Sequence, residues 1–302
     1  MKNFFTIFLV LFSIHGLAEP VEIKYNSITL NGFYSAQSEK SKSIAIILHG
    51  TRGHQNLELI TSLRDSLLDN GVDSLTINLS YGINNRVNDF LSCDIEHKHK
   101  QSNSQYEIKL WHEYIKKIGY EKIYLIGHSR GGLDIINFYE SLDSKYQEPI
   151  DSIFLLAPIS ETWESSLDRY KENYDIDINN FVHQRDKKLK INFLGCEDAT
   201  VYSDSFLDYY LIGGDGHFFN SEATRFSDRG LNLHLINTSG KVYVITASED
   251  TVVPNTYRIV KGVISAIPTE KNIKLYQVDG ADHFFRDFYF DDLIEIIVEK
   301  IN

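Results

Sequence analysis

Short apolar runs rich in Ile, Val, Leu and Tyr recur along the chain as SIAIILHG (43–50), DSLTINLS (73–80), KIYLIGHS (122–129), DSIFLLAP (151–158), KVYVITAS (241–248) and NIKLYQV (272–278). Near-continuous apolar runs of this length read as strands buried on both faces. Between them lie amphipathic stretches of helical length: near Asn56 to Asn70, from about Gln105 to Ile118, from Gly131 to about Asp143, after Pro254, and from about Phe288 to Ile301. Strands that alternate with helices predict an α/β fold, a mostly parallel sheet with helices on both faces. VEIKYNSITLNGFYS (21–35) reads as two strands joined by a turn, and the polar stretch from Tyr81 to about Ser102 shows no period and reads as loop.

Between Ile159 and Thr238 the alternation breaks. So long a connection between two core strands is uncommon in a compact domain unless it carries function. It mixes ETWESSLDRYKENYD with SDSFLDYYLIGGDGHFF, which predicts a mostly helical cap inserted into the core. The expected division is a leader (1–18), a core (19–158 and 239–302) and a cap (159–238). A chain of 302 residues is long enough for one large domain with such an insertion. The cap aromatics Trp163, Tyr170, Phe206, Tyr209, Tyr210, Phe218 and Phe219 read as the cap's own core, with an acyl or aromatic pocket as the alternative. Asp215-Gly216-His217 reads as a turn.

The first residues, MKNFFTIFLVLFSIHGLAEP, have the pattern of a secretory leader: Lys2, an apolar run from Phe4 to Ile14, then Gly16-Leu17-Ala18. Cleavage after Ala18 is expected, with a retained N-terminal anchor as the alternative. The run is too short to span a bilayer comfortably, so the mature chain is expected to be exported, periplasmic or secreted, without stable membrane insertion. Lys and Arg number 30 against 42 Asp and Glu, a formal charge of −12. An acidic body repels nucleic acid and anionic membrane surfaces, so no nucleic-acid partner is expected. An acidic surface that aids solubility accounts for the imbalance without any function.

Chemistry concentrates at Gly127-His128-Ser129-Arg130-Gly131, which fits G-x-S-x-G with a strand before it and a helix after it. A serine at so sharp a turn needs flanking residues without Cβ, because a side chain there would collide with the adjacent strand or helix. The helix that follows aims its free N–H groups and positive dipole end at the serine. A serine hydroxyl also needs a histidine base and a carboxylate to orient that base. TASEDTVVP supplies Asp250 directly after a strand, and DGADHFF supplies His283 after the next. Glu249 is the rival acid. The predicted oxyanion donors are the N–H of Arg130 and, from the HGTRG loop (49–53), that of Thr51. His49 reads as a brace for that loop and not as a base.

These elements, Ser129, Asp250 and His283 in that chain order with HGTRG after an early strand, resemble those of α/β-hydrolase-fold serine hydrolases over about residues 25–158 and 240–300. The resemblance implies an eight-stranded sheet, hydrolysis through an acyl-enzyme, and no metal or organic cofactor. It points to a carboxylic ester hydrolase acting on a small-molecule ester or acyl substrate. The same triad also serves peptidases, thioesterases and acyltransferases, and a non-catalytic hydrolase-like binding module is the remaining alternative.

Arg52 and His128 are the candidate substrate contacts. Arg52 and Arg130 would favour a substrate bearing a carboxylate or phosphate; ion pairs with acids of this acidic chain are the competing explanation. Cys93, His97 and His99 in CDIEHKHK match no zinc pattern with four ligands, so no metal site is assigned. In the sheet that the resemblance implies, the loop after DSLTINLS and the cap leave from the same edge, which makes Cys93 and Cys196 candidates for a disulfide pinning loop to cap.

Overall fold

The run 43–48 buries every residue after Ser43 and divides the apolar ones between two clusters: Ile44, Ile46 and Leu48 join one, Ala45 and Ile47 the other. Period-two alternation places the clusters on opposite faces of a sheet, and both faces are covered. The computed structural model describes residues 17–39, 41–160, 163–177, 180, 187–210, 235, 238–267 and 271–301. In chain order its elements are β1 (Leu17–Tyr25), β2 (Ile28–Ala36), β3 (Ser43–Leu48), α1 (Glu58–Asp69), β4 (Asp73–Ile77), β5 (Glu96–His97), α2 (Gln101–Lys117), β6 (Lys122–His128), α3 (Arg130–Glu140) and α4 (Ser144–Gln147). They continue with β7 (Ile150–Leu156), α5 (Trp163–Tyr174), β8 (Lys188–Phe193), β9 (Cys196–Tyr202), α6 (Ser203–Tyr210), β10 (Val242–Ala247), α7 (Thr256–Ala266), β11 (Ile273–Val278) and α8 (Tyr289–Ile301).

Eight strands form the main sheet in the order β1-β2-β4-β3-β6-β7-β10-β11. The β1, β2 and β4 pairings are antiparallel, and from β4 to β11 every pairing is parallel. One face carries α2, α3 and α7 through Trp111, Phe138 and Val260. The other carries α1 and α8 through Leu63 and Ile297. The carboxyl ends of β3, β6, β10 and β11 therefore share one edge of the sheet, where ligands bind in open parallel sheets.

Several boundaries differ from the sequence expectation, each for a tertiary reason. β4 stops at Ile77 and not at Ser80: Asn78 N–H still donates to Asn31 O (2.9 Å), but the two donors after it go to side chains, Leu79 N–H to His49 Nε2 (3.3 Å) and Ser80 N–H to Glu107 Oε2 (2.7 Å). α2 starts at Gln101, ahead of Gln105, because Asp208 on α6 accepts from the N–H groups of Gln101 (2.5 Å) and Ser102 (3.2 Å). A carboxylate there satisfies donors that a helix start otherwise leaves open.

The described part of the segment between β7 and β10 holds the helices α5 and α6 together with an antiparallel hairpin, β8 and β9. The hairpin forms a three-stranded sheet with β5, which lies in the stretch expected to be loop. Leu194 (φ 51°) and Gly195 (φ 78°) make its two-residue turn, the left-handed pair that a tight hairpin requires. Tyr170, Phe206 and Tyr209 are fully buried and pack on Phe193 or on one another, so these three belong to the core. The side chains of Trp163 and Tyr210, together with Phe218, Phe219 and Asp215-Gly216-His217, lie outside the described residues.

Candidate active site

Ser129 follows β6 as the N-cap of α3, with φ 55° and ψ −121°. Three backbone hydrogen bonds hold this strained conformation: its N–H donates to Leu156 O (2.8 Å), and its carbonyl accepts from Gly132 N–H (3.1 Å) and Ile159 N–H (3.3 Å). The flanking glycines are sterically required. A Cβ on Gly127 would stand 2.3 Å from Gly131 O, and one on Gly131 would stand 2.3 Å from His49 O.

After β10, Asp250 turns back into the site. Its Oδ1 accepts from the N–H groups of Val252 and Val253 (2.8 Å each), and its Oδ2 accepts from His283 Nδ1 (2.7 Å). Burial pushes this carboxyl up, but the bonds to His283, Val253 and Val252 outweigh it and hold the pKa below the ordinary carboxylate value. Glu249 is exposed and Asp250 buried, which separates the two candidate acids. His283, after β11, is buried, and its carbonyl accepts from His128 Nε2–H (2.8 Å). His128 is buried too. Burial and then the neighbouring His283 lower its pKa to about 3, so it is neutral and supports His283 from behind.

The HGTRG loop closes as a tight turn, with Gly53 N–H donating to Gly50 O (3.1 Å) and Arg52 at φ 58°. His49 accepts from Leu79 N–H at Nε2, which fixes Nδ1–H as the donor to Gly50 O (2.8 Å). Its pKa falls to about 3, through burial and then the Arg86 charge, so it braces the loop as a neutral ring. A Cβ on Gly50 would lie 3.0 Å from Ser129 Cβ. Loop and serine turn are thus in close contact, and Thr51, Ser129 and Arg130 line one cavity of about 670 Å³.

Cys93 and Cys196 are joined by a disulfide with Cα atoms 5.4 Å apart. Arg52 Nη1 donates to both sulfurs, at 2.8 and 2.6 Å. Neither Arg52 nor Arg130 forms an ion pair with a carboxylate among the described residues, so the acid partners weighed for them do not appear there. His97 and His99 hydrogen-bond each other (3.1 Å), and His99 also binds Tyr209 OH (3.0 Å).

No protein-family model matches the chain, and no curated protein matches it. Solved structures do resemble it. Est1E from Butyrivibrio proteoclasticus with ferulic acid bound has 18% identity and a TM-score of 0.64, with 93% of this chain and 99% of that one covered. An alpha-beta serine hydrolase homologue from Coxiella burnetii has 14% identity and a TM-score of 0.55, covering 94% and 97%. The esterase domain of a Rhodothermus marinus protein has 11% identity and a TM-score of 0.57, covering 94% and 97%. The chain has the α/β-hydrolase fold.

Within this α/β-hydrolase fold, sequence reasoning missed the residues that the hairpin brings to the cavity wall, Asn192, Leu194 and Gly195. The alternation of Leu189, Ile191 and Phe193 with Lys188, Lys190 and Asn192 was the available signal. It also missed Tyr81, whose hydroxyl accepts from Arg52 N–H (3.2 Å) and so fixes the loop beside Thr51. No local pattern marks that contact.

Proposed function

We propose that the chain is a serine hydrolase that cleaves a carboxylic ester through an acyl-enzyme. The observation that carries this reading is the buried Asp250–His283 hydrogen bond of 2.7 Å at the sheet edge that also carries the strained Ser129. Fold likeness to proteins named as esterase and serine hydrolase supports the reaction class.

With Nδ1–H engaged by Asp250, His283 Nε2 is the nitrogen available as base. It takes the Ser129 proton as Oγ attacks the ester carbonyl, and the N–H groups of Arg130 and Thr51 stabilise the resulting oxyanion. The tetrahedral intermediate collapses and expels the alkoxide, which receives the proton from His283. Water, deprotonated by the same imidazole, then attacks the acyl-enzyme and releases the acid, returning the proton to Ser129.

A fluorophosphonate probe is expected to label Ser129, and Ser129→Ala is expected to lower kcat by about 10⁴ to 10⁶. An unlabelled serine and undiminished turnover in the variant would refute the reading. p-Nitrophenyl esters of increasing acyl length, run beside a thioester and a peptide amide, report which bond is preferred.

Export is part of the same proposal, supported by a disulfide suited to an oxidising compartment. The mature N-terminus, sequenced by mass spectrometry, is expected at Glu19. A chain that still begins at Met1 overturns it.

A further inference from the structure

We infer that the substrate is an ester carrying a free carboxylate, bound by Arg52 and Arg130 in the cavity in front of Ser129. The inference rests on the hydrolase reading and narrows it to a substrate class. The cavity, about 670 Å³, is lined by Arg52, Arg130 and Arg169 and by no Asp or Glu among the described residues. Acids outnumber bases 42 to 30 in this chain, so a wall that gathers guanidinium groups and omits carboxylates runs against the composition.

Among the described residues, two of these cations have no acid partner. Among the described residues Arg52 Nη1 hydrogen-bonds only to the sulfurs of Cys93 and Cys196, which are weak acceptors, and its Nε is buried with no hydrogen-bond partner there. Arg130 is only 8% exposed, lies over the Tyr209 ring at 5.4 Å, and also has a buried, unpartnered Nε. Asp134, the carboxyl that feels the Arg130 charge, accepts its hydrogen bond from Gln101 Nε2 (2.6 Å). Arg130 is buried and Arg52 half-buried; guanidinium groups withdrawn from water are ordinarily paired, and their planar fork matches a carboxylate. Both line the same cavity as the serine. Ile159, Leu194, Val252 and Ile259 supply apolar wall alongside them. A ligand that satisfies both has an apolar body and an anionic end.

The test compares monophenyl adipate, whose second carboxyl is free, with phenyl heptanoate, which carries an ethyl group in its place. Wild-type kcat/KM is expected to favour the hemiester by about tenfold or more at low ionic strength, with the preference shrinking as salt rises. Arg52→Gln is expected to lower kcat/KM on the hemiester by about 10- to 100-fold more than on the neutral ester, with partial recovery in Arg52→Lys. Equal kcat/KM on the two esters, or equal losses in Arg52→Gln, overturns the inference while leaving the hydrolase reading intact. If Arg52→Gln does not fold, the wild-type salt dependence decides, together with competitive inhibition by free adipate and none by hexanamide. Absence of both overturns the inference. If the protein neither labels at Ser129 nor turns over phenyl heptanoate, the hydrolase reading has failed instead. Calorimetric binding of adipate to the Ser129→Ala chain then still tests the arginine site, and no detectable binding refutes it.

Discussion

The carbonyl oxygen of His49 lies 2.3 Å from the point where a Cβ on Gly131 would stand. The loop after β3 and the first turn of α3 are therefore in backbone contact, and neither can move without the other. Gly131→Ala forces one of them to shift and is expected to cost about 1–3 kcal/mol or more, with loss of activity. Gly262, on α7 with nothing within 4 Å of its would-be Cβ, provides the opposite sign. Gly262→Ala is expected to stabilise by about 0.5–1 kcal/mol, because a helix-interior glycine costs backbone entropy. Urea melts of the two variants decide, and shifts of the same sign would contradict this account of the corner.

Asp250 does two jobs with two oxygens. Oδ1 ties down the loop through Val252 and Val253, and Oδ2 orients His283. Asp250→Asn retains an oxygen for the loop but offers an amide to Nδ1, which favours the wrong imidazole tautomer. The expected result is a fall in kcat of about 10⁴ with little loss of thermal stability. Glu249→Gln, at an exposed neighbour, is expected to stay within a few-fold of wild type on the same assay. The reverse pattern would reassign the acid.

Acid should destabilise this protein below about the ordinary histidine pKa. Burial lowers His49, His99 and His128 to about 3, and His97 and His112 to about 4. Below pH 6.5 the unfolded chain binds protons that these buried rings refuse, so each contributes a loss approaching about 1.4 kcal/mol per pH unit. Burial acts oppositely on Glu107 and Asp134, raising them to about 7 and about 6. The folded state takes up their protons first, so they stabilise as pH falls from 7 toward their unfolded values. Burial also lowers His54, which adds to the loss, and raises Asp208, which offsets part of it; the histidines outnumber the raised carboxyls and leave a net loss on acidification. The urea midpoint is expected to drop between pH 7 and pH 5, and Glu107→Gln, which removes one stabilising uptake, is expected to steepen the drop. A flat profile, or a shallower one in the variant, would count against the assignment.

The sheet and the three residues proposed as the triad were legible because each follows a strand whose apolar run marks it, and because the glycines around Ser129 report a steric need local to the turn. The hairpin of β8 and β9 was not. Its strands pair with each other and, at β9, with β5, two residues from a segment with no period of its own, and its turn begins with Leu194 where Asn or Asp would signal a tight hairpin. The start of α2 was hidden for a similar reason, since its capping carboxylate, Asp208, lies far along the chain. Arg52 was legible as a cation beside the oxyanion loop, but its seating on the two cysteine sulfurs depends on the disulfide closing.

That disulfide spans 103 residues and joins the loop before β5 to the start of β9. Cross-links that close long loops remove much conformational freedom from the unfolded chain, and loss of a native one costs about 2–5 kcal/mol. The triple Ser129, Asp250 and His283 follows the carboxyl ends of β6, β10 and β11, strands that the cross-link does not join, so the main sheet should outlast its reduction. The paired change Cys93→Ser with Cys196→Ser is therefore expected to lower stability by that amount while phenyl heptanoate hydrolysis persists. Hydrogen exchange should rise first in β8 and β9, and limited proteolysis should cut near Leu194 before the core. Protection in β8 and β9 equal to that of the oxidised protein would mean that Phe193, Phe206 and Tyr209 hold the hairpin in place without the cross-link.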